Sequence, residues 1–352
     1  MSRNIRILQF SAGFQLGDAI SQEMLEIQKM LKENGIDSEL FSENIHKSDR
    51  SYVSKFNKAR IKKDDVFVYH HSIHSEVLPF ILKYPNKKIL IYHNVTPSNF
   101  FEPYDLKFSY LLQEGRNDLS IIKEFFDYFL AVSEFNRLEL LNLGISNVAL
   151  FPLHLSFSKW KSIQSSPKSV SNKVQFLFVG RIAPNKKQDD LIRFAKIWKS
   201  KTNIPFQFNL IGYSNPNQQA YLEELEFMIR TYNLEENVKF VSSVNDSILS
   251  KYYMESDFFI SMSEHEGFCV PLMEAMFFKL PVIAYDAGAV SETLGGSGIL
   301  FNSKNFEAIA DRVIDLLQNP FERNRLIENQ SIRLKNFLNT KTLNPLLRCL
   351  NL

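Results

Sequence analysis

Two glutamates in the stretch SEHEGFCVPLMEAM have the spacing of a paired-carboxylate site. Glu266 and Glu274 are separated by seven residues, and the apolar run DFFISM comes just before them. The run has no alternating polar positions, which is typical of a strand buried on both faces of a parallel sheet. Because open α/β folds bind ligands at the carboxyl ends of such strands, both carboxylates are candidates for binding a ligand.

The residues after Glu266 predict the start of a helix. Pro271 suits a first helical position, where its missing amide hydrogen would have no intrahelical acceptor, so PLMEAMFFK is expected to be helical. Glu266 then lies in the preceding loop and Glu274 in the first helical turn, where the helix dipole favours negative charge. Alternatively, Glu274 merely caps its helix and Glu266 is solvated. If the helix starts as predicted, four amides would be free to meet phosphate oxygens, those of Gly267, Phe268, Cys269 and Val270.

A second constellation lies upstream, where an apolar strand at residues 174–179 runs into GRIAPNKK and then an amphipathic helix. Arg181 follows the strand and Lys186 is expected at the helix start, so the two cations can converge on one anion. A leaving nucleoside diphosphate gains negative charge as a glycosidic bond breaks, and fixed cations would stabilise that transition state. Taken alone, the pattern also fits a solvated basic loop with Lys186 and Lys187 as surface charges.

With both constellations present, the chain resembles the retaining glycosyltransferases of family 4. FVGRIAPNKK, SEHEGFCVPLMEAM and LPVIAYDAGAVSETLGGSGILF follow one another in the family's order over residues 174–301, and the likeness is looser over residues 1–150. The resemblance implies the GT-B fold, an α/β architecture of two facing Rossmann-like domains with parallel sheets and a cleft between them. Within the family, the chain resembles the mannosyltransferase-type enzymes of bacterial surface-polysaccharide synthesis.

The resemblance implies roles for the matched positions. Arg181 and Lys186 would bind the donor diphosphate, with Lys187 as a competing choice for the lysine. Glu266 would contact the donor sugar, and Glu274 the ribose. Members of this family need no bound metal, because cations and helix amides supply that electrostatic stabilisation. We therefore expect no cofactor, the nucleotide sugar being the donor substrate.

Three further positions follow from the resemblance. Val244, in FVSSVNDS, would pack against the base. Gly17 would let the backbone approach the diphosphate, but the family's second glycine is replaced by Asp18, which would repel a diphosphate unless it points away or contacts the acceptor. His93, at the end of a predicted strand, would lie near the reacting sugar carbon. A histidine hydrogen-bonded within its loop is the alternative.

The loops around His93 supply the remaining candidates. Four residues are expected on the acceptor side: Tyr92, Asn94, Thr96 and Tyr104. Histidine is a common zinc ligand, and four histidines follow two predicted strands: His70, His71, His74 and His93. No cysteine or carboxylate set stands at ligand spacing, so we expect no metal site here.

Composition agrees with an enzyme of two domains. The chain has 352 residues, of which 45% are hydrophobic, and its strands alternate with helices as in parallel-sheet folds. A net charge of +2 gives no case for nucleic acid as a partner. Only two cysteines are present, and neither a secretory leader nor a run of about twenty apolar residues is apparent. The expected location is the cytoplasm.

A polar, serine-rich segment predicts a hinge near residues 156–172. We expect an N-terminal acceptor-side domain at residues 1–160 and a C-terminal nucleotide-sugar-binding domain at residues 161–335. Residues 336–352 are expected to return to the first domain, with Pro345 interrupting any long helix.

A basic segment with interleaved aromatic residues, SDRSYVSKFNKARIKK, predicts peripheral contact with an anionic membrane at its inner face. The phenylalanines of FFEPYDLKFSYLL strengthen this prediction. An ordinary solvated helix face is the alternative.

The functional hypothesis is a retaining, metal-independent hexosyltransferase. It would move a hexose, mannose being the first guess, from a GDP- or UDP-linked donor to a hydroxyl of a glycan or lipid-linked saccharide in cell-surface polysaccharide synthesis. One alternative is another reaction class of this fold, such as a phosphorylase or a nucleotide-sugar epimerase; the phosphorylases need a pyridoxal-binding lysine in a longer chain. The other is a non-catalytic partner subunit that binds a nucleotide sugar.

Overall fold

The computed structural model describes residues 5–161, 172–340 and 342–350, and the chain divides into two compact units. The first lies within Met1–Asn99, Lys107–Ser156 and Leu338–Leu352, and the second within Phe100–Leu106 and Phe157–Phe337. Most of the predicted hinge, residues 162–171, lies outside the described residues. The predicted domain limits therefore stay predictions.

A parallel sheet of seven strands forms the centre of the first unit. In chain order the strands are β1 (Arg6–Phe14), β2 (Asp37–Ile45), β3 (Ser54–Lys55), β4 (Val66–His71), β5 (Lys88–Tyr92), β6 (Tyr128–Ala131) and β7 (Val148–Leu150). They pair in the order β3-β2-β1-β4-β5-β6-β7. The direction of winding reverses between β1 and β4, and open α/β sheets bind ligands at such a reversal.

Four helices connect these strands: α1 (Ala19–Glu33), α2 (Val77–Ile81), α3 (Leu106–Phe125) and α4 (Glu134–Asn142). The first of these helices, α1, has apolar residues at Met24, Ile27 and Leu31 that are fully buried. Spacing of three or four residues places these side chains on one helix face, which packs on the sheet.

The second unit contains a six-stranded parallel sheet. Its strands are β8 (Val174–Val179), β9 (Phe206–Ile211), β10 (Val238–Val241), β11 (Phe258–Ser261), β12 (Val282–Tyr285) and β13 (Ile299–Phe301). The order β10-β9-β8-β11-β12-β13 reverses between β8 and β11. Both strands were predicted, and all four residues of β11 are buried, as its unbroken apolar run indicates. The loops with the candidate charges follow these two strands.

Eight helices surround the second sheet: α5 (Ser158–Lys161), α6 (Gln188–Lys201), α7 (Gln219–Thr231), α8 (Asp246–Glu255), α9 (Val270–Phe277), α10 (Val290–Leu294), α11 (Phe306–Gln318) and α12 (Pro320–Asn339). The core of this unit is rich in aromatic residues. The ring of Phe176 lies 5.1 Å from Trp198 and 5.5 Å from Phe194, all three fully buried. Such burial gives this unit a hydrophobic core of its own.

The end of the chain lies with the first unit, where α13 (Asn344–Cys349) has Pro345 in its first turn. A buried histidine holds this segment. His154 Nδ1 lies 2.7 Å from Glu23 Oε1, on α1, and Nε2 lies 3.1 Å from the carbonyl oxygen of Thr342. In the described parts of the chain, no helix has both the length and the hydropathy needed to cross a bilayer.

Candidate functional site

The loops that follow β8 and β11 are hydrogen-bonded to each other at the reversal of the second sheet. The amide of Glu264 donates to the carbonyl of Asn185 at 2.9 Å, and Asn185 Nδ2 donates to the carbonyl of His265 at 3.3 Å. Because β8 and β11 are neighbouring parallel strands, their carboxyl ends deliver both loops to the same edge.

Lys186 and Glu266 form a close ion pair in this edge. The Lys186 Nζ lies 2.7 Å from each oxygen of Glu266, whose side chain is 7% exposed. Lys187 instead contacts Asp189 at 2.8 Å, so Lys186 is the lysine at Glu266. Lys186 ends a 3₁₀ turn rather than starting the helix, because Lys187 adopts a left-handed conformation before α6 begins.

The backbone of Glu266 is held from the loop after β12. The amide of Ala289 donates to the Glu266 carbonyl at 2.9 Å. Gly288 has φ +60°, and a Cβ there would lie 2.3 Å from that carbonyl oxygen. Glycine is needed here both for the left-handed conformation and for the close approach.

Arg181 leaves the end of β8 with an exposed side chain. Its carbonyl accepts a hydrogen bond from Gln188 Nε2 at 2.8 Å, which fixes the backbone. A Cβ at Gly212 would lie 1.9 Å from the Gly180 carbonyl oxygen, so the ends of β8 and β9 approach closely only because of this glycine. Within the described residues, the Arg181 guanidinium has no hydrogen-bond or ion-pair partner and is available to an anion.

The start of α9 presents three of the four candidate amides without a hydrogen-bond acceptor among the described residues. Cys269 has φ +72° and lies at the N-cap, and its side chain forms no capping hydrogen bond. Within the part of the chain that the structure describes, the amides of Gly267, Phe268 and Cys269 donate to no protein acceptor, and Val270 is the first helical residue. Such amides, together with the helix dipole, favour a bound phosphate.

Burial, with the Glu266 charge adding to it, raises the pKa of the Cys269 thiol well above its ordinary value. The thiol is therefore protonated at neutral pH and behaves as a small hydrophobic group.

The expected position of Glu274 in the first helical turn is wrong. The helix begins at Val270, one residue before Pro271, so Glu274 is the fifth helical residue and no acidic side chain occupies the first turn. Tyr253 on α8 donates its hydroxyl to Glu274 Oε2 at 2.8 Å. Burial raises the pKa of Glu274 above 4.5, against the opposing effect of the Tyr253 hydrogen bond.

Val244 is half-buried in the segment between β10 and α8. That segment follows the carboxyl end of β10, at the same edge of the second sheet as the loops after β8 and β11. The structure thus brings Arg181, Lys186, Val244, Glu266 and the residues of α9 to one edge of one unit.

Gly17 and His93 belong to the first unit. Gly17 is exposed with φ +92° in the turn after β1. The next residue, Asp18, is the N-cap of α1, and its Oδ2 accepts from the amides of Ile20 at 3.1 Å and Ser21 at 3.2 Å. The carboxylate that replaces the family's second glycine thus already occupies the helix N-terminus.

His93 follows β5 and is half-buried. Its Nε2 lies 3.0 Å from His70 Nδ1, and its amide donates to the His71 carbonyl at 3.0 Å. Burial, with an additional effect of His71, lowers the pKa of His93 to about 3, so the ring is neutral at physiological pH.

The other histidines have separate partners. His71 Nε2 lies 2.7 Å from the carbonyl oxygen of Gly115, and His74 Nδ1 lies 2.8 Å from Asp118 Oδ2. Across residues 5–161, 172–340 and 342–350, no three His, Cys, Asp or Glu side chains form a group that could hold a metal ion.

The acceptor-side expectation fails for Tyr92, which has no exposed surface and donates its hydroxyl to Glu139 at 2.9 Å. A strand residue whose side chain points into the core cannot line a surface site. Asn94 is buried with φ +77°, and its Oδ1 has no hydrogen-bond partner among the described residues. Thr96 is half-buried, and Tyr104 lies in the second unit, donating its hydroxyl to Glu224 at 2.7 Å.

Sequence reasoning missed three residues that support the site. Tyr253 bonds Glu274, Asn185 joins the two loops, and Gly288 lets the backbone of Glu266 approach. Gly288 had a usable signal, a glycine just after a buried strand. Tyr253 had none, because an aromatic residue on a helix looks like ordinary core.

Part of the chain matches a known protein family and several known proteins. Residues 159–333 match the model of a family described as "Glycosyl transferases group 1". A poly(ribitol-phosphate) alpha-N-acetylglucosaminyltransferase of Staphylococcus aureus is 26% identical over 196 residues, 54% of this chain and 36% of that protein. O-antigen chain mannosyltransferase B of Escherichia coli is 24% identical over 142 residues, 40% of this chain and 36% of that protein. The match thus spans about a third of the length of these relatives.

Among solved structures, Anabaena Alr3699/HepE in complex with UDP and glucose has a TM-score of 0.71 at 16% identity, covering 94% of this chain and 95% of that one. TarM has a TM-score of 0.62 at 20% identity, covering 82% of this chain and 55% of that one. At these identities the likeness shows the fold alone. The predicted α/β fold of the GT-B class, with two parallel-sheet domains, is confirmed.

Proposed function

We propose that this chain, whose residues 159–333 match the model of the glycosyl transferases group 1 family, is a retaining hexosyltransferase of cell-surface polysaccharide synthesis. The donor would be a GDP- or UDP-linked hexose, and the acceptor a hydroxyl of a glycan or lipid-linked saccharide. Mannose is the first candidate, because an O-antigen mannosyltransferase is among the relatives. The observation that carries the proposal is the Lys186–Glu266 pair beside the unpaired amides of α9.

In the proposed complex, Arg181 and the α9 amides bind the diphosphate, and Glu266 binds sugar hydroxyls. Without donor, the Lys186 ammonium neutralises the Glu266 carboxylate. With donor bound, it would lie between that carboxylate and the donor diphosphate. As the bond from the sugar carbon to the phosphate oxygen breaks, its electron pair stays on the phosphate. Cations and amides already aimed at that oxygen stabilise this charge without reorganisation.

Glu274 would bind the ribose hydroxyls and Val244 the base, and for His93 and Gly17 the proposal keeps the roles that the family resemblance implies. The proposal includes no metal and no cofactor, since Arg181, Lys186 and the α9 amides are there to stabilise the leaving diphosphate. A partner subunit that only binds a nucleotide sugar is the competing outcome of the experiment below.

Arg181→Ala tests the diphosphate site. The side chain is exposed and unpaired in the described structure, so the fold should persist while binding of GDP and UDP weakens by roughly tenfold or more, because a charge-assisted bond is lost. Thermal shift with GDP, UDP and their hexose conjugates measures binding, and release of nucleotide from the matching donor measures turnover.

Arg230→Ala, an exposed arginine on α7, is the matched control and should bind like the unmodified protein. Arg181→Ala/Lys186→Ala should abolish transfer, and turnover retained in that double variant would refute the assignment. Binding without turnover for every donor and acceptor tried would instead favour the partner-subunit alternative.

The proposal extends to a cytoplasmic location with peripheral contact on an anionic membrane. Two features of the first unit support it. Lys55, Lys58 and Lys62 are exposed in the basic segment, and Tyr110 and Phe125 are exposed on α3. Exposed basic residues and exposed apolar side chains each favour contact with an anionic lipid surface.

A further inference from the structure

Three side chains from adjacent strands of the first sheet form a hydrogen-bonded line that ends at His93. Gln9 lies on β1, His70 on β4, and His93 directly after β5. Gln9 Oε1 lies 3.0 Å from His70 Nε2, and His70 Nδ1 lies 3.0 Å from His93 Nε2. Gln9 and His70 have no exposed surface, whereas His93 is half-buried. The line therefore runs from the interior towards the surface.

The orientation of the Gln9 amide is determined by its other neighbours. Its nitrogen donates to the carbonyl oxygen of Met24 at 3.2 Å and to Ser38 Oγ at 3.1 Å. A backbone carbonyl can only accept, so the amide nitrogen must face Met24 and the amide oxygen must face His70. His70 must then carry its proton on Nε2.

A neutral His70 has one protonated nitrogen, which leaves Nδ1 as an acceptor. Burial keeps His70 neutral by lowering its pKa well below 6.5, with the nearby His93 adding to the effect. His93 must therefore donate from its own Nε2 to His70. Nδ1 of His93 then has a free lone pair, and within the described residues no group hydrogen-bonds to it.

We propose that Gln9 and His70 are positioning residues that hold His93 in the tautomer protonated at Nε2, so that its Nδ1 accepts a hydrogen bond from a substrate hydroxyl. The tautomer follows from the hydrogen-bond geometry together with the neutral state of the fully buried His70; its role in binding a hydroxyl of the donor or acceptor sugar rests on the proposed function. A neutral Nδ1 acceptor favours hydroxyl-bearing ligands and disfavours an unprotonated phosphate oxygen at this position.

Nitrogen-15 NMR of the histidine rings tests the tautomer without any substrate. In the unmodified protein, Nδ1 of His93 should show the shift of an unprotonated ring nitrogen and Nε2 that of a protonated one. His70→Phe removes the acceptor, so the two His93 nitrogens should move towards averaged shifts. His70→Asn offers an amide oxygen near the former Nδ1 and should largely restore the original pattern.

His71→Phe is the matched control, because His71 lies on the same strand, is equally buried, and bonds the Gly115 carbonyl instead of the His93 ring. It should lower stability but leave the His93 shifts in place. Finding Nδ1 of His93 protonated in the unmodified protein, or an unchanged pattern in His70→Phe, would overturn the proposal.

Activity separates this proposal from the proposed function. With the matching donor, kcat/KM should fall roughly tenfold in His70→Phe and recover in His70→Asn, since one hydrogen bond to a neutral group is at stake. The predicted tautomer in a protein that transfers no sugar would uphold the positioning and reject the glycosyltransferase. Full activity in His70→Phe together with averaged shifts would reject the role of Nδ1 in binding.

Discussion

At the scale of single residues, neighbours rather than residue type determine the charge state of the candidate site. Glu266 keeps both oxygens 2.7 Å from one ammonium, whereas Glu274 has the hydroxyl of Tyr253 as its partner. Two glutamates of the same motif thus differ in electrostatics. Removing one partner of a buried pair is costly, so the pairing also makes Glu266 dependent on Lys186 for stability.

Glu274→Gln should make stability depend on pH in a defined direction. Burial raises the pKa of Glu274 in the folded state above the ordinary 4.5, so the folded protein binds this proton more tightly than the unfolded chain. The resulting stability is complete below the unfolded pKa and is lost as pH rises through the folded pKa. Glutamine stays neutral and still accepts from Tyr253, so the variant should gain urea resistance relative to the unmodified protein as pH rises from about 4 to about 8.

Urea midpoints of both proteins at several pH values provide the measurement. Glu226→Gln changes an exposed glutamate on α7, and its urea midpoint should differ from that of the unmodified protein by an amount that hardly varies with pH. If the difference in urea midpoint between Glu274→Gln and the unmodified protein also stayed constant with pH, the raised pKa of Glu274 would be contradicted.

At the scale of elements, parallel strands bring distant loops to one edge. Residues 183–186 follow β8, residues 262–269 follow β11, and residues 286–289 follow β12, and hydrogen bonds join all three. The position of Glu266 depends on these hydrogen bonds between loops. Its carbonyl oxygen accepts a hydrogen bond from the Ala289 amide, next to the close backbone contact at Gly288.

Gly288→Ala should therefore displace the loop that carries Glu266. The added Cβ would lie 2.3 Å from the Glu266 carbonyl oxygen in a left-handed backbone, and we expect a loss of about 3 kcal/mol with weaker nucleotide-sugar binding. Gly296→Ala is the matched control, since Gly296 also has a positive φ but an added Cβ there would meet no atom within 4 Å, and it should cost about 1 kcal/mol. Equal losses of stability and binding in the two variants would rule out the close contact as the cause.

At the scale of the whole molecule, each unit has its own parallel sheet and its own candidate groups. The second holds the cations, carboxylates and amides proposed for the donor, and the first holds the Gln9–His70–His93 line. The first also carries the surface proposed for the membrane, with side chains of Tyr110, Ile121 and Phe125 exposed on α3. Tyr110 and Ile121 are about three helical turns apart and Ile121 and Phe125 about one turn, so the three side chains lie on one helix face.

Tyr110→Ser/Ile121→Ser/Phe125→Ser should weaken binding to vesicles that contain anionic phospholipid. These side chains are exposed, so their loss removes apolar contact with lipid and leaves the core unchanged. Sedimentation with anionic and with neutral vesicles, at low and high salt, measures the effect; binding should need anionic lipid and fall with salt. Phe227→Ser/Phe321→Ser changes residues of the second unit that are at least as exposed and should leave binding intact. Equal sedimentation of all variants with both vesicle types would exclude this surface.

The sequence by itself determined the strands and helices next to the motifs, to within a residue or a turn, and the order of the motifs. The buried core of DFFISM could be predicted because a strand covered on both faces is apolar, and Val174–Val179 departs from that pattern only at the half-buried Gln175. The fold class followed from alternating strands and helices, and the resemblance at Arg181, Lys186, Glu266 and Glu274 indicated a sugar nucleotide. These are local properties of the chain, which neighbouring residues suffice to specify.

Tertiary structure decided which groups meet. The choice of Lys186 over Lys187, the pairing of Glu274 with Tyr253 and the burial of Tyr92 depend on contacts between residues far apart in the chain. The same holds for the line from Gln9 to His93, which crosses three strands. Charge state, tautomer and exposure are set by surroundings in space, and a linear pattern specifies those surroundings only after the chain has folded.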